Sequence, residues 1–296
     1  MRRKWKLAGL FLLLGLCVCK PTCAENSGAR SEHGPDVEMP RTIPLRIYRN
    51  FLLVAEGQFG TVLQHQNFVL DTGTAPSIVN ARLARELGLV TTTGVMSAVG
   101  KIVSTQSATL REVELGPMRA VSLRVQVQDL SQLERDLGIP IAAIIGLDFL
   151  SRLSFRLDYD KKCIDFGNVS DQGIPVPFDA HTGIAIARVS INGIPVRMLV
   201  DTGSDRVALI GGDFTGTARL GLPSASQEGW GVAGGVPIRI FPAPDIFLGG
   251  EHFTLKKAYF ILGSADPAFD GLLGVRALGF RTVAYDHVHA TIYLQK

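Results

Sequence analysis

One heptad-sized phrase occurs twice, and it constrains this chain more than any other feature. Phe68-Val-Leu-Asp71-Thr72-Gly73-Thr74 returns 130 residues later as Met198-Leu-Val-Asp201-Thr202-Gly203-Ser204. A second phrase, Ala143-Ile-Ile-Gly146, returns after 128 residues as Gly271-Leu-Leu-Gly274. Each copy of the second phrase leads into a strand-like tail, Phe155 to Phe166 and Thr282 to Leu294. Two landmarks displaced by nearly the same interval imply a duplicated lobe. Chance is a poor rival, because this composition in random order would hold about 0.1 copies of Asp-Thr-Gly. The join falls near Ser170 to Pro177, which divides the body into lobes 41–172 and 173–296.

Between these landmarks the chain runs in short apolar or alternating stretches broken by Gly, Pro, Asn and Asp, such as Val121 to Val127 and Ile184 to Val189. That texture predicts an all-β protein. Helix signals are few. Asn80 is placed to cap a turn or two through Leu83 and Leu87, with Gly88 to end it, and Leu147 to Leu153 suggests another short helix. With 46% apolar and 19% charged residues, the composition is that of a globular body and excludes disorder and a polytopic membrane protein.

An apolar run that ends in Asp-Thr-Gly reads as a buried strand stopping at a carboxylate and turning sharply, with glycine admitting a close approach denied to other residues. A single copy is compatible with a structural turn. Paired copies in related lobes can set the carboxylates of Asp71 and Asp201 face to face. Carboxylates held that close share one proton and titrate as a coupled pair. One then serves as base toward a water while the other, protonated, polarises a carbonyl, which is enough to hydrolyse an amide with neither metal nor covalent intermediate.

On these residues the chain resembles the retropepsin-like and pepsin-like aspartic peptidases, with both lobes in one polypeptide, over roughly Ile43 to Leu294. The resemblance implies a bilobal fold of two duplicated β-barrel-like lobes with a cleft between them. It implies Asp71 and Asp201 as the catalytic pair, and Thr72 and Thr202 as hydroxyls that cross-brace the loops. Gly73, Thr74, Gly203 and Ser204 complete the loops, Thr74 and Ser204 standing where a hydroxyl would favour the ionised carboxylate and bias activity toward acid pH. Ile144-Ile145-Gly146 and Leu272-Leu273-Gly274 are expected as strands threading behind the loops. The resemblance also implies a hairpin flap, for which Gly229 to Gly235, with Trp230 and Gly231 near its tip, is in the expected place. The first lobe's counterpart lies around Gly94 to Ile102, and the flap tyrosine of the pepsins is missing.

The first 24 residues stand apart. Arg2, Arg3, Lys4 and Lys6 precede an uncharged run from Leu7 to Cys19, too short to span a bilayer, and small residues follow up to Ala24. This reads as a secretory signal peptide, with an uncleaved anchor or lipidation at a cysteine as the alternatives. Residues 25–40 read as a flexible linker or a short propeptide. The segment 1–24 holds five basic groups and no acidic one, so the overall charge of +3 becomes −2 once it is removed. The basic balance therefore belongs to targeting and gives no support for nucleic-acid binding. Only Cys163 then remains, and its strand-like setting marks it as a core residue.

Other signatures are weak. Gly229, Gly231 and Gly234 match a dinucleotide-loop pattern, but Val236 to Phe241 reads as a strand where that motif needs a helix. His287 and His289 would share a strand face and are expected at the surface, without further metal ligands. No cofactor or metal is expected. The leading expectation is an exported, periplasmic or extracellular, monomeric endopeptidase acting on extended peptides. The alternative is a peptide-binding or sensor module on the same scaffold.

Overall fold

The computed structural model describes residues 12–13, 41–98, 101–167, 169, 171–179, 183–211, 223–231, 234–242, 244–263 and 268–296. The expected signal peptide, apart from Leu12 and Leu13, and the expected linker or propeptide 25–40 lie outside the described residues. Strands make up 59% of the structure and helix 9%, so the chain is all-β.

The first lobe orders its strands Leu52–Phe59, Leu63–Leu70, Ala143–Ile145, Ile78–Asn80, Met118–Gln128, Lys101–Leu115 and Thr92–Ala98, with Arg46–Tyr48 at the outer edge. The second repeats that order as Ile186–Ile191, Ile194–Asp201, Gly271–Gly274, Val207–Ile210, Lys257–Ile261, Gly234–Pro242 and Ala225–Gly231. Register repeats too. Phe68, Val69 and Leu70 pair in parallel with Ala143, Ile144 and Ile145, as Met198, Leu199 and Val200 pair with Gly271, Leu272 and Leu273. The two repeated phrases are thus hydrogen-bonded neighbours within each lobe. These strands are covered on both faces, which is why they read as unbroken apolar runs and not as alternation. Each fully buried Leu, Ile or Val there contributes about 1.5–3 kcal/mol.

The tails join the lobes. Thr42–Pro44, Cys163–Phe166 and Phe155–Asp158 continue into Thr282–Asp286, Thr291–Gln295 and Ile174–Asp179, three strands from each half. At the seam Phe155 pairs with Tyr285 and Asp158 with Thr282, so equivalent strands meet antiparallel, as an approximate twofold axis requires. The rings of Phe155 and Tyr285 stack there with centroids 4.8 Å apart.

The expected helices are short. Ala81–Glu86 starts at Asn80, whose side chain accepts from the Arg82 N–H, and Gly88 follows with φ +62°. Leu147–Leu150 forms a single turn. Ser131–Leu137, closed by a left-handed Gly138, was not anticipated, since only two of its residues are buried and its apolar period is faint. Cys163 is a free, buried strand residue whose thiol is pushed up by burial. His287 departs from expectation. It lies after its strand, packed among Phe155, Phe178 and Tyr285, with Nε2 buried and without a partner.

Candidate active site

Both Asp-Thr-Gly turns sit where the strands Leu63–Leu70 and Ile194–Asp201 end, side by side at the lobe junction. A Cβ on Gly73 would stand 2.6 Å from the Asp201 carboxyl carbon, and one on Gly203 would stand 2.6 Å from Asp71 Oδ1. Neither glycine can carry a side chain without displacing the opposite carboxyl. The sequence needs glycine here for close approach, and both positions use it in the same way.

The threonines lock the loops together. The Thr72 N–H donates to Thr202 Oγ1 and the Thr202 N–H to Thr72 Oγ1, each at 3.1 Å. Each hydroxyl then donates across the junction, Thr72 to the Val200 carbonyl at 2.9 Å and Thr202 to the Leu70 carbonyl at 3.5 Å. All four groups are buried, so losing one leaves its partners unsatisfied. Tyr285 adds a support that sequence reasoning missed. Its hydroxyl donates to Thr72 Oγ1 at 3.0 Å from the shared sheet. Nothing in the tail's apolar pattern distinguishes that tyrosine from a core aromatic.

The threading strands hold the loops from behind. A Cβ on Gly146 would meet the Thr74 carbonyl at 2.0 Å, and one on Gly274 would meet the Ser204 carbonyl at 2.5 Å. The first lobe adds a carboxylate brace: Ser77 donates through N and Oγ to Asp148, at 2.9 and 2.7 Å, and its Oγ accepts from the Gly146 N–H. The second lobe has Val207 and Arg276 at the corresponding places.

The two aspartates are both fully buried and lie within hydrogen-bonding reach of each other. Their surroundings differ. Asp71 accepts from the Gly73 N–H at 2.8 Å and from the Thr74 hydroxyl at 2.5 Å. Asp201 accepts from the Gly203 N–H at 2.7 Å, but its Oδ2 is buried with no donor. Ser204 does not do for Asp201 what Thr74 does for Asp71. Its hydroxyl donates to the Arg206 carbonyl and accepts from the Arg206 N–H, both at 3.2 Å. The expectation of matching hydroxyls therefore holds in one lobe only.

Burial raises Asp71 above the ordinary carboxylate range, and the Thr74 hydroxyl partly opposes that rise. Asp201 is raised well above it, first by burial and then by the neighbouring charge of Asp71. Carboxyls this close titrate as one coupled pair, and both are raised, the donor-poor Asp201 more than Asp71.

The segments expected to form a flap are hairpins in both lobes. Ala225–Gly231 pairs with Gly234–Pro242, Trp230 opposite Gly235, and the side chain of Trp230 lies outside the description. Leu12 and Leu13 pair in parallel with Trp230 and Gly231. In the first lobe Thr92–Ala98 pairs with Lys101–Leu115. The hairpins touch where Lys101 Nζ donates to the Gly235 carbonyl.

Comparison with known proteins agrees with this geometry. No curated protein sequence matches the chain. A family model described as aspartyl protease matches twice, over residues 56–149 and 187–277, once in each lobe and each time across an Asp-Thr-Gly loop. Together the matches cover more than half of the chain, which belongs to the aspartyl protease family and is a hydrolase of the aspartic peptidase type.

Proposed function

We propose that this chain is an exported endopeptidase in which Asp71 and Asp201 together activate a water molecule. The observation that carries the reading is the facing pair of buried carboxyls, one donor-rich and one with an orphaned oxygen. Asp71, ionised, accepts a proton from water as the water oxygen attacks the scissile carbonyl carbon. Asp201 gives its proton to the carbonyl oxygen, which leaves a neutral gem-diol. The C–N bond then breaks as the amine nitrogen takes the proton from Asp71, and a gem-diol hydroxyl returns its proton to Asp201. The pair ends as it began.

Activity needs one proton on the pair, so it falls when both carboxyls are protonated and again when both are ionised. Because both groups lie above the ordinary range, the active window is displaced upward from it, toward mildly acidic pH. Thr72, Thr202, Gly73 and Gly203 are positioning residues, and Thr74 holds Asp71 in its ionised state. An extended peptide is the substrate class, held by strand-like backbone contacts from the two hairpins. Both carboxyls are fully buried, so a substrate reaches them only when the chain around them opens. Both carboxyls come from one polypeptide, which supports action as a monomer. The charged and apolar start of the chain supports a periplasmic or extracellular location, with membrane contact only through that segment or a lipid anchor.

The test is cleavage of an unfolded protein from about pH 3 to 7, with and without a transition-state mimic of amide hydrolysis. The reading expects a bell-shaped profile and inhibition by the mimic. Peptide binding with no cleavage at any pH would overturn it in favour of a binding module.

A further inference from the structure

The catalytic loop of the first lobe is wired to a third carboxyl outside the dyad. Asp148 lies on the single turn Leu147–Leu150, and Ser77 donates to it twice, through N at 2.9 Å and through Oγ at 2.7 Å. The amides of Asp148 itself and of Phe149 donate to it as well. So many donors converging on one carboxyl are the setting of an ionised acceptor, which has no hydrogen of its own to place.

From Asp148 the bonds run on to Asp71. Ser77 Oγ, while donating to Asp148, accepts from the Gly146 N–H at 2.9 Å. The next amide, that of Leu147, donates to the Thr74 carbonyl at 3.0 Å. Thr74 in turn gives its hydroxyl to Asp71 Oδ2 at 2.5 Å. Thr74 is therefore held at its carbonyl by the same segment that Asp148 anchors through Ser77. The second lobe is fixed differently. Its Gly274 N–H donates to the Arg206 carbonyl at 2.8 Å, a backbone acceptor that cannot titrate.

Protonation reverses part of this pattern. A neutral carboxyl carries a hydrogen, so one of the two Ser77 donors loses its acceptor. Ser77 is fully buried, and a buried donor without a partner is costly enough to shift the loop that holds it. The surroundings leave the event to Asp148 itself. Ala143–Ile145, packed against the turn, and Ile78–Asn80 beside it carry no ionisable side chain, nor do Leu147, Phe149 and Leu150. Arg152, just beyond the turn, is exposed. The titrating group at the far end of the bonds is Asp71. Burial raises Asp148 above the ordinary carboxylate range, and the Ser77 bonds only partly oppose that, so the reversal moves toward the mildly acidic span of the raised dyad.

We propose that Asp148 is a positioning residue for Asp71: ionised, it fixes Ser77, Gly146 and Thr74 so that the Thr74 hydroxyl meets Asp71, and protonated, it releases them. The inference rests on the reading of Asp71 as the catalytic base and adds a third carboxyl to the acid side of the activity profile. Its effect is confined to one lobe. As pH falls, the loop of Asp71 loosens while that of Asp201 keeps its backbone anchor.

The experiment follows kcat and KM against pH for the full chain and for Asp148→Asn, which keeps the shape of the side chain and cannot ionise. In the wild type the acid limb of log kcat is expected to fall by about two decades per pH unit, one from the dyad and one from Asp148. In Asp148→Asn it is expected to fall by about one, from a plateau about tenfold lower, with KM little changed. Ser77→Ala leaves Asp148 titrating but cuts its bond toward Gly146, and is expected to give the same single-proton limb. A second readout needs no cleavage. The carboxyl-carbon NMR signal of Asp71, followed against pH, is expected to show a step at the Asp148 titration in the wild type and none in Asp148→Asn. A single-proton limb in the wild type, a limb equally steep in Asp148→Asn, or an Asp71 signal blind to Asp148 would each overturn the inference. A wild-type chain that cleaves nothing would instead remove the dyad reading, and the Asp71 signal would then decide the wiring alone.

Discussion

The two lobes share a strand order, a register and a signature loop, yet they treat their aspartates differently. In the first, Thr74 gives its hydroxyl to Asp71, and Ser77 with Asp148 anchors the loop to the threading strand. In the second, Ser204 turns to the Arg206 backbone, and Arg276 instead reaches out of its lobe to the Asn50 carbonyl and covers the Tyr159 ring. Duplication preserved what both carboxyls need, which is glycine for approach and threonine for bracing. It let the hydroxyl donor diverge. A symmetric scaffold thereby surrounds its two carboxyls asymmetrically.

The largest effects should fall on the shared features. Gly73→Ala and Gly203→Ala each force a Cβ against the opposite carboxyl, so both should lower kcat/KM by roughly a hundredfold or more. Gly94→Ala, with open space at its Cβ, should change little. Tolerance of alanine in one loop alone would break the symmetry of the approach.

The next effect sharpens the comparison in stability. Thr72 Oγ1 serves Thr202, Val200 and Tyr285, whereas Thr202 Oγ1 serves Thr72 and, at long range, Leu70. Urea denaturation should show Thr72→Ala costing about 2–3 kcal/mol and Thr202→Ala about 1–2 kcal/mol. The reverse order would mean that the Tyr285 support is unimportant.

A smaller effect tests the divergence itself. Thr74→Val removes the hydroxyl that favours ionised Asp71, so the acidic limb of the pH–rate profile should move upward. Ser204→Ala should leave that limb in place, because its hydroxyl is engaged elsewhere. Equal shifts in both variants would contradict the asymmetry.

Stability against pH should show the smallest effect, with opposing signs. Burial lowers the His287 imidazole, so the folded state loses stability as pH falls below the ordinary imidazole range. Burial raises both aspartates, so their contribution is present below the ordinary carboxylate range and fades as pH rises through their folded values. Thermal melts of His287→Gln should therefore show a shallower loss between neutral and mildly acidic pH than the wild type.

Much of this was legible in the sequence because the site is built from local phrases. Phe68 to Gly73 and Met198 to Gly203 carry the strand, the carboxylate and the close-approach glycine within a few residues, and Ala143 to Gly146 declares its neighbour through the matching interval. What stayed hidden depends on long-range packing. Tyr285 supports Thr72 across 213 positions, and Ser77 meets Asp148 across 71, with no motif to announce either. The role of Ser204 was misread because a hydroxyl next to a carboxylate in sequence can still choose a backbone partner. His287 was misplaced because period-two reasoning assumes that the strand continues, and here it ends at Asp286.

The central claim is that two side chains, one from each lobe, work as a single proton-sharing unit. Cleavage by Asp71→Asn, Asp201→Asn and the double variant, all in the full chain, tests it most directly. Groups that act as a unit lose nearly everything at the first removal, so each single variant should be as inactive as the double. A single variant that keeps near wild-type kcat/KM, or losses that simply multiply in the double, would contradict the account.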